Sequence, residues 1–425
     1  MFHGWFIVAI ALVIMTVTYG IYQSWPVFYV AILNTYGWNR AETALIFSAA
    51  SLVYTFGSPL SGFLFDKFGP RRQFTIAAIL IGLGLVGCSR ATEIWQFALL
   101  YAGLVALGTA LTGFVPNLAL VSGWFEKRRA TAVGIAQMGT RDSFLLMPLI
   151  QMAITGLGYQ NAYLVLAISV IIINIPIAQF LRARPQDMGL LPDGQTNDDE
   201  KQGTDSDDKD SHIVNKEWAA TEWTLSKVLK KYQFWAIFVL LSGGGFAFTA
   251  LLSHFVALIT DAGYTAEFAA SVLAVFAVTS IIGRACGFVS DIIGREITTT
   301  FCVVLMFASL PILLITKDTS TPWLLYVFVF FYGFGGGMNS PSFTAAAADL
   351  FHGKRFGTIF GTANMGFGLG SSIGTFLYGY IYDTTGTYNI AIILTMIAVF
   401  MVGVAIWVIA PRKVRRIRRK RHTQL

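Results

Sequence analysis

Twelve times along the chain, an apolar run about as long as a bilayer is thick is followed by a shorter polar interval. A helix needs roughly twenty apolar residues to cross about 30 Å of hydrocarbon. Runs of that order fall near residues 5–33, 43–65, 73–90, 95–122, 130–155, 160–181, 234–260, 266–293, 297–316, 322–349, 356–381 and 387–410. The pattern predicts an all-α membrane protein of twelve transmembrane helices. The longest polar interval divides them six and six, giving an N-terminal half (1–181), a linker (182–233), a C-terminal half (234–410) and a basic tail (411–425). The linker is acidic around Asp198, Asp199 and Glu200 and again from Asp205 to Asp210, a composition expected to stay disordered. Thr224 to Tyr232 has a capping residue and an apolar face, and is expected to form a short interfacial helix before span seven.

Basic residues orient the bundle. With both termini inside, 25 of the 30 Lys and Arg fall in inner segments, and only Arg40, Arg90 and Lys317 fall outside. By the positive-inside rule this puts the linker and both termini in the cytoplasm of a multi-pass plasma-membrane protein. The tail from Arg412 to Arg421 holds eight basic residues. Beside a last spanning helix it is expected to meet anionic membrane lipid and not nucleic acid. Composition agrees, since only 12% of residues are charged against about 25% in soluble domains. Cys88, Cys286 and Cys302 all lie in apolar runs, so no disulfide framework is implied. The first run is too long for a cleavable leader and lacks a basic start, so it reads as a span.

Two cations remain, Arg141 and Arg284, each inside a span. An arginine at the centre of a spanning helix costs about 2.5–3.5 kcal/mol on insertion scales. It is kept where it faces a cavity, a partner carboxylate or an anionic ligand. For Arg284, within Thr279 to Phe288, the readings are a structural ion pair or the grip on a substrate anion, and the second is the one adopted here. Arg141 is followed by Asp142, about 12 residues or roughly 18 Å from the inner end of span five. Burial would raise the carboxyl pKa of Asp142 and a nearby arginine would lower it. Such opposed influences suit a proton-coupling group, and a permanent bridge is the alternative. His254 in span seven is the other titratable group within a span; it is either a second proton-coupling candidate or a buried hydrogen-bonded ring.

The two halves repeat. Gly62 to Gly69 matches Gly287 to Gly294 at an offset of 225, and Pro116 and Pro341 are also 225 apart. Lys127-Arg128 through Gly139 matches Lys354-Arg355 through Gly366 at 227. Three matches in order at nearly constant offset argue for duplication. Two six-helix halves on a long inner linker resemble the major facilitator fold, which implies pseudo-symmetric halves with substrate held at their interface.

The resemblance extends to motifs. Gly62, Asp66, Gly69 and Arg71-Arg72 look like that superfamily's signature loop between spans two and three. It implies that Asp66 and Arg71, with Asp291 and Arg295 in the second half, lock and release the inner side. Trp124-Phe125-Glu126-Lys127-Arg128-Arg129, followed by Ala132, Gly134, Ala136 and Gly139, resembles the monocarboxylate transporter signature. Gly4-Trp5 echoes that family's first-helix motif. An arginine in span eight is what this family and the related oxalate/formate exchangers use to bind carboxylate. Departures accompany the match. Ser280 stands where animal members carry an acid, the first lysine is Lys67, and no Lys or Arg occurs between Phe356 and Tyr382. A single fixed cation suits a monoanion better than a dianion.

A small hydroxy- or keto-acid also needs neutral hydrogen-bonding groups and an apolar wall. On the spans that line the cavity in the resembled fold, the candidates are Asn117 (after Pro116), Tyr332 and Asn339 (seven apart, one face), Tyr22 in span one, Tyr378 near the outer end of span eleven, and Leu145 as wall. No nucleotide loop, metal-spaced His/Cys cluster or nucleophile-and-base set suggests an enzyme or a cofactor. The resemblance therefore implies a secondary-active carrier, a functional monomer moving a small monocarboxylate such as lactate or pyruvate with a proton by alternating access. Its rivals are oxalate/formate-type anion exchange and a metabolite sensor that does not transport.

Overall fold

The computed structural model describes residues 3–125, 129–183, 185–188, 218, 221–351 and 356–414. The acidic linker stretch, the tail beyond 414 and the pairs Lys127-Arg128 and Lys354-Arg355 lie outside the described residues, as do the side chains of Asp66, Arg141, Asp142 and Asp291. Among the described residues there is no strand. Among the described residues, nine helical segments are long and apolar enough to cross a membrane: His3–Tyr36, Arg40–Phe65, Lys67–Cys88, Ile94–Trp124, Tyr159–Ala178, Tyr232–Asp261, Ala266–Phe288, Arg295–Ile315 and Asn389–Ile409. Three further segments complete the predicted order. Span five runs as Arg129–Asp142, Ser143–Leu146 and Met147–Leu157, span ten is Pro322–Leu350, and span eleven is Phe356–Thr385. The last two are 29 and 30 residues long, about 43–45 Å at 1.5 Å per residue.

Spans two and three run on from each other with one break, at Gly69 (φ 72°, ψ 169°), directly before Pro70. The positive φ is open to glycine without strain, and the proline cannot continue the incoming helix. The interfacial helix proves to be a single turn, Leu225–Val228. Thr224 begins it in an extended conformation, and its carbonyl accepts from the amides of Lys227 and Val228. Its hydroxyl makes no cap, so the expected capping role falls to the backbone alone.

Five spans are not regular helix throughout. Span one turns at Gln23-Ser24 before Pro26, and span four winds as a π-helix over Ala98–Ala106 and then breaks at Gly113 (φ −78°, ψ −150°). Span five tightens to a 3-10 turn at Ser143–Leu146 ahead of Pro148. Span seven widens to π at Phe246–Ala250, after three consecutive glycines, and span eight tightens at Cys286–Phe288. Such irregular turns free backbone groups from the i→i−4 ladder and are frequent at functional sites.

The chain packs as two compact units. One comprises 1–203, 249–277 and 371–388; the other comprises 204–248, 278–370 and 389–425. Three segments of the predicted C-terminal half, 249–261 of span seven, 266–277 of span eight and 371–385 of span eleven, are thus members of the first unit. Within it, Ser48 Oγ donates to the Ser372 carbonyl (2.9 Å), Ser371 Oγ donates to Ser51 Oγ (3.2 Å) and Thr155 Oγ1 donates to Glu267 (2.6 Å). At the other end of this unit, Trp124 of the family-like motif is fully buried, and its indole donates to the Arg182 carbonyl (3.0 Å). Arg71 Nε donates to Leu181 O (2.7 Å), so both fix the start of the linker.

Candidate functional site

In the second unit, Arg284 sits in the last turn of the α-helical part of span eight, Ala266–Ala285, just before the 3-10 turn Cys286–Phe288. Helical residues continue to Ile293, nine positions or about 14 Å further on, and the apolar span itself ends at Phe288, four positions or about 6 Å further on. Arg284 is half-buried and is engaged within the protein. Two glycines set its height. A Cβ at Gly283 would strike the backbone of Phe334 and Met338, and one at Gly337 would strike the backbone of Ser280. Spans eight and ten therefore touch backbone to backbone beside Arg284, the close approach that small residues permit in membranes.

Tyr332 and Asn339 lie on the same span ten. Tyr332 is fully buried, and its hydroxyl donates to the Ala247 carbonyl (2.5 Å), a group inside the π-turn of span seven. Its ring stacks on Phe328 (5.1 Å). Asn339 is 9% exposed, its Oδ1 is buried without a hydrogen-bond partner, and it borders a small cavity of about 40 Å³ otherwise walled by apolar side chains such as Met306 and Val402. Arg295, the second-half counterpart of the signature loop, pairs with Asp349 (Nε to Oδ2, 3.3 Å) and donates to Ser290 Oγ (2.7 Å).

In the first unit, Pro116 has no amide to offer the carbonyl of Thr112, and the chain breaks at Gly113. Asn117 repairs this. Its Nδ2 donates to Thr112 O (2.5 Å) and Gly113 O (2.9 Å). Both amide hydrogens are thereby spent on the backbone, which orients Oδ1 as an acceptor; that oxygen is buried and has no partner. Beside the break, Tyr19 and Tyr54 share a 2.6 Å hydroxyl–hydroxyl bond, and a Cβ on Gly113 would lie 3.0 Å from the Tyr54 oxygen. Tyr54 was not singled out from the sequence; a lone tyrosine in an apolar run carries no distinguishing signal there. Tyr22 packs between Phe47 (5.2 Å) and Tyr54 (5.7 Å). Leu145, in the 3-10 turn that follows Asp142, is 41% exposed.

His254 is fully buried in the first unit. Its Nε2 lies 2.9 Å from the Thr375 carbonyl and can only donate there, so Nδ1 accepts from the Tyr388 hydroxyl at 3.3 Å. Tyr378 is fully buried and stacked on the imidazole (5.6 Å). A further cluster escaped the sequence reading altogether. Arg40, counted only as one of three outer cations, forms a two-pronged pair with Asp261 (2.6 and 2.7 Å) and donates to Tyr388 (2.6 Å).

Asn117→Ala is expected to raise KM more than it lowers maximal rate, and to reduce thermal stability by about 1–3 kcal/mol, because two buried carbonyls lose their donors. Transport kinetics and a melting curve on the same preparation check this. The reverse kinetic pattern would confine Asn117 to a backbone role.

The family model that matches the chain is the Major Facilitator Superfamily, over residues 7–375 and 285–425. Monocarboxylate transporter 13 of Rattus norvegicus is 27% identical over 390 residues, spanning 91% of this chain and 84% of that protein. Monocarboxylate transporter 2 of Homo sapiens is 26% identical over 396 residues, spanning 91% and 81%. Among solved structures, a bacterial homolog of the human lysosomal transporter Spinster, in an inward-facing and occupied conformation, superposes with TM-score 0.70 at 13% identity, covering 95% of this chain and 96% of that one. That last likeness is one of fold.

Proposed function

The chain belongs to the major facilitator superfamily, with its similarities among the monocarboxylate transporters, and from that premise we propose that it moves a small monocarboxylate across the plasma membrane together with a proton. One observation carries the reading: an arginine carried inside an apolar span, four residues before its end at Phe288 and in the last α-helical turn before a 3-10 tightening. Ionisable groups within spans mark ligand and ion pathways. The guanidinium fork matches a carboxylate in plane with two charge-assisted hydrogen bonds. Span eleven, Phe356–Thr385, supplies no second cation, which favours a monoanion of the lactate or pyruvate kind over oxalate.

In the first unit, Asn117 Oδ1 is a proposed acceptor for a donor group of the substrate, with Tyr22 and Leu145 as proposed wall. Tyr332, Asn339 and Tyr378 are proposed to shape the site through the backbone, cavity and ring they hold. Asp66, Arg71, Asp291 and Arg295 are the proposed inner lock. Of the two proton-coupling candidates, Asp142 is preferred. His254 is satisfied on both nitrogens as a neutral ring, and protonation would cost it the bond from Tyr388. Both termini are proposed to be cytoplasmic, with the basic tail on anionic lipid.

Uptake of labelled lactate into proteoliposomes, with and without an imposed pH gradient, tests the proposal. Uptake against a concentration gradient, driven by acid on the loading side, is expected. Counterflow with no pH dependence would favour exchange instead. Asp142→Asn is expected to retain counterflow while losing the response to the pH gradient; an unchanged response would move coupling away from Asp142.

A further inference from the structure

Arg40 begins span two, and every polar group around it comes from another segment of the first unit. Its two terminal nitrogens grip Asp261, the last residue of span seven, at 2.6 and 2.7 Å, and one of them also donates to Tyr388 at 2.6 Å. Its guanidinium carbon lies 3.6 Å from the ring centre of Tyr382 in span eleven. The backbone joins in. Asp383 accepts from the amides of Arg40 (3.0 Å) and Ala41 (2.6 Å), which are free at a helix start. Tyr29 of span one donates to the Arg40 carbonyl (3.1 Å). Gly379 lets span eleven approach so closely that a Cβ there would strike Arg40 O and Ala41. Tyr388 then passes the chain inward, donating to His254, which donates to Thr375 O.

The Arg40 side chain thus ties the start of span two to the ends of spans seven and eleven and to Tyr388, while its backbone takes the bonds of Tyr29 and Asp383. The pair is solvated enough to be reversible. Side-chain exposure is 17% for Arg40 and 31% for Asp261, and both border a polar chamber of about 490 Å³ with Asn34, Thr260 and Trp38. Partly hydrated ion pairs form and break at modest cost, unlike pairs sealed in the interior. A carrier that alternates access must part these ends in every cycle. Three partners on one guanidinium, Asp261, Tyr382 and Tyr388, give such a motion a shared point of release.

We propose that Arg40 is the latch of this end of the bundle, which the basic-residue count places outside, and that breaking its pair with Asp261 is the step that frees the ends of spans seven and eleven from spans one and two. The latch does not depend on which substrate is carried, so its test uses no substrate. Ser48, 4% exposed and bonded to the Ser372 carbonyl, lies on the seam that the latch closes. Native Cys88, 0% exposed within spans one to six of the same unit, serves as internal control.

In full-length protein reconstituted in nanodiscs, Ser48→Cys would be titrated with a charged maleimide in the presence and absence of Arg40→Ala or Asp261→Asn. Labelling at position 48 is expected to rise about tenfold or more in both, the factor that one lost charge-assisted contact carries, with Cys88 unchanged. The charge-swapped pair R40D/D261R should restore protection. Flat labelling at 48 would overturn the latch. A parallel rise at Cys88 would overturn it too, since it would report general loosening.

Discussion

Arg284→Ala, and equally Arg284→Lys, is expected to lower uptake of labelled monocarboxylate by about two to three orders of magnitude, with folded protein still recovered. Two charge-assisted hydrogen bonds to one carboxylate are each worth about 1.5–3 kcal/mol, and about 1.4 kcal/mol is a factor of ten. The lysine variant is the sharper of the two. It keeps the charge and loses only the planar fork. If lysine preserves uptake, position 284 supplies a field and not a clamp. If alanine preserves it, the proposed carboxylate site is elsewhere. Uptake is to be compared at matched protein density, with a melting curve to show that each variant is folded.

Gly283→Ala and Gly337→Ala are expected to be among the most damaging single-methyl additions in the second unit. Each new Cβ would meet the opposing backbone and not a movable side-chain tip, since Gly283 faces Phe334 and Gly337 faces Ser280. Overpacking of this kind costs about 1–3 kcal/mol, occasionally more, and a helix pair can relieve it only by moving apart. Gly244→Ala and Gly361→Ala, with nothing within 4 Å of a new Cβ, should leave the melting temperature nearly unchanged. Equal behaviour of the four variants would show that spans eight and ten do not meet as described. Because Gly283 precedes the clamp residue, any survivor at that position should also transport poorly, with Arg284 shifted from its place.

Much of the candidate site was legible before any coordinates. Arg284 stood out because charge in an apolar run is rare and costly. Asn117 stood out because it follows a proline, and the reason proved local: its amide takes over carbonyls that Pro116 and Gly113 leave open. What the residue list did not reveal is where spans leave the α-helical ladder. The π-turn of span seven gives Tyr332 its acceptor, the 3-10 turn of span five directly follows Asp142, and that of span eight begins two residues after Arg284. Glycines and prolines hint at such places, yet hydropathy is the same whether a turn is α, π or 3-10.

The chain by itself determined the number and order of its spans, their expected orientation and which cations fall inside them. These properties are sums over neighbouring residues, and lipid and water read them without reference to the rest of the fold. The tertiary structure decided which groups meet. It put Arg40 on Asp261 across 221 positions and His254 under Tyr388 across 134, and it brought the backbones of spans eight and ten together at two glycines. Hydrogen bonds and ion pairs act over about 3 Å, and only packing brings segments so distant in the chain within that reach.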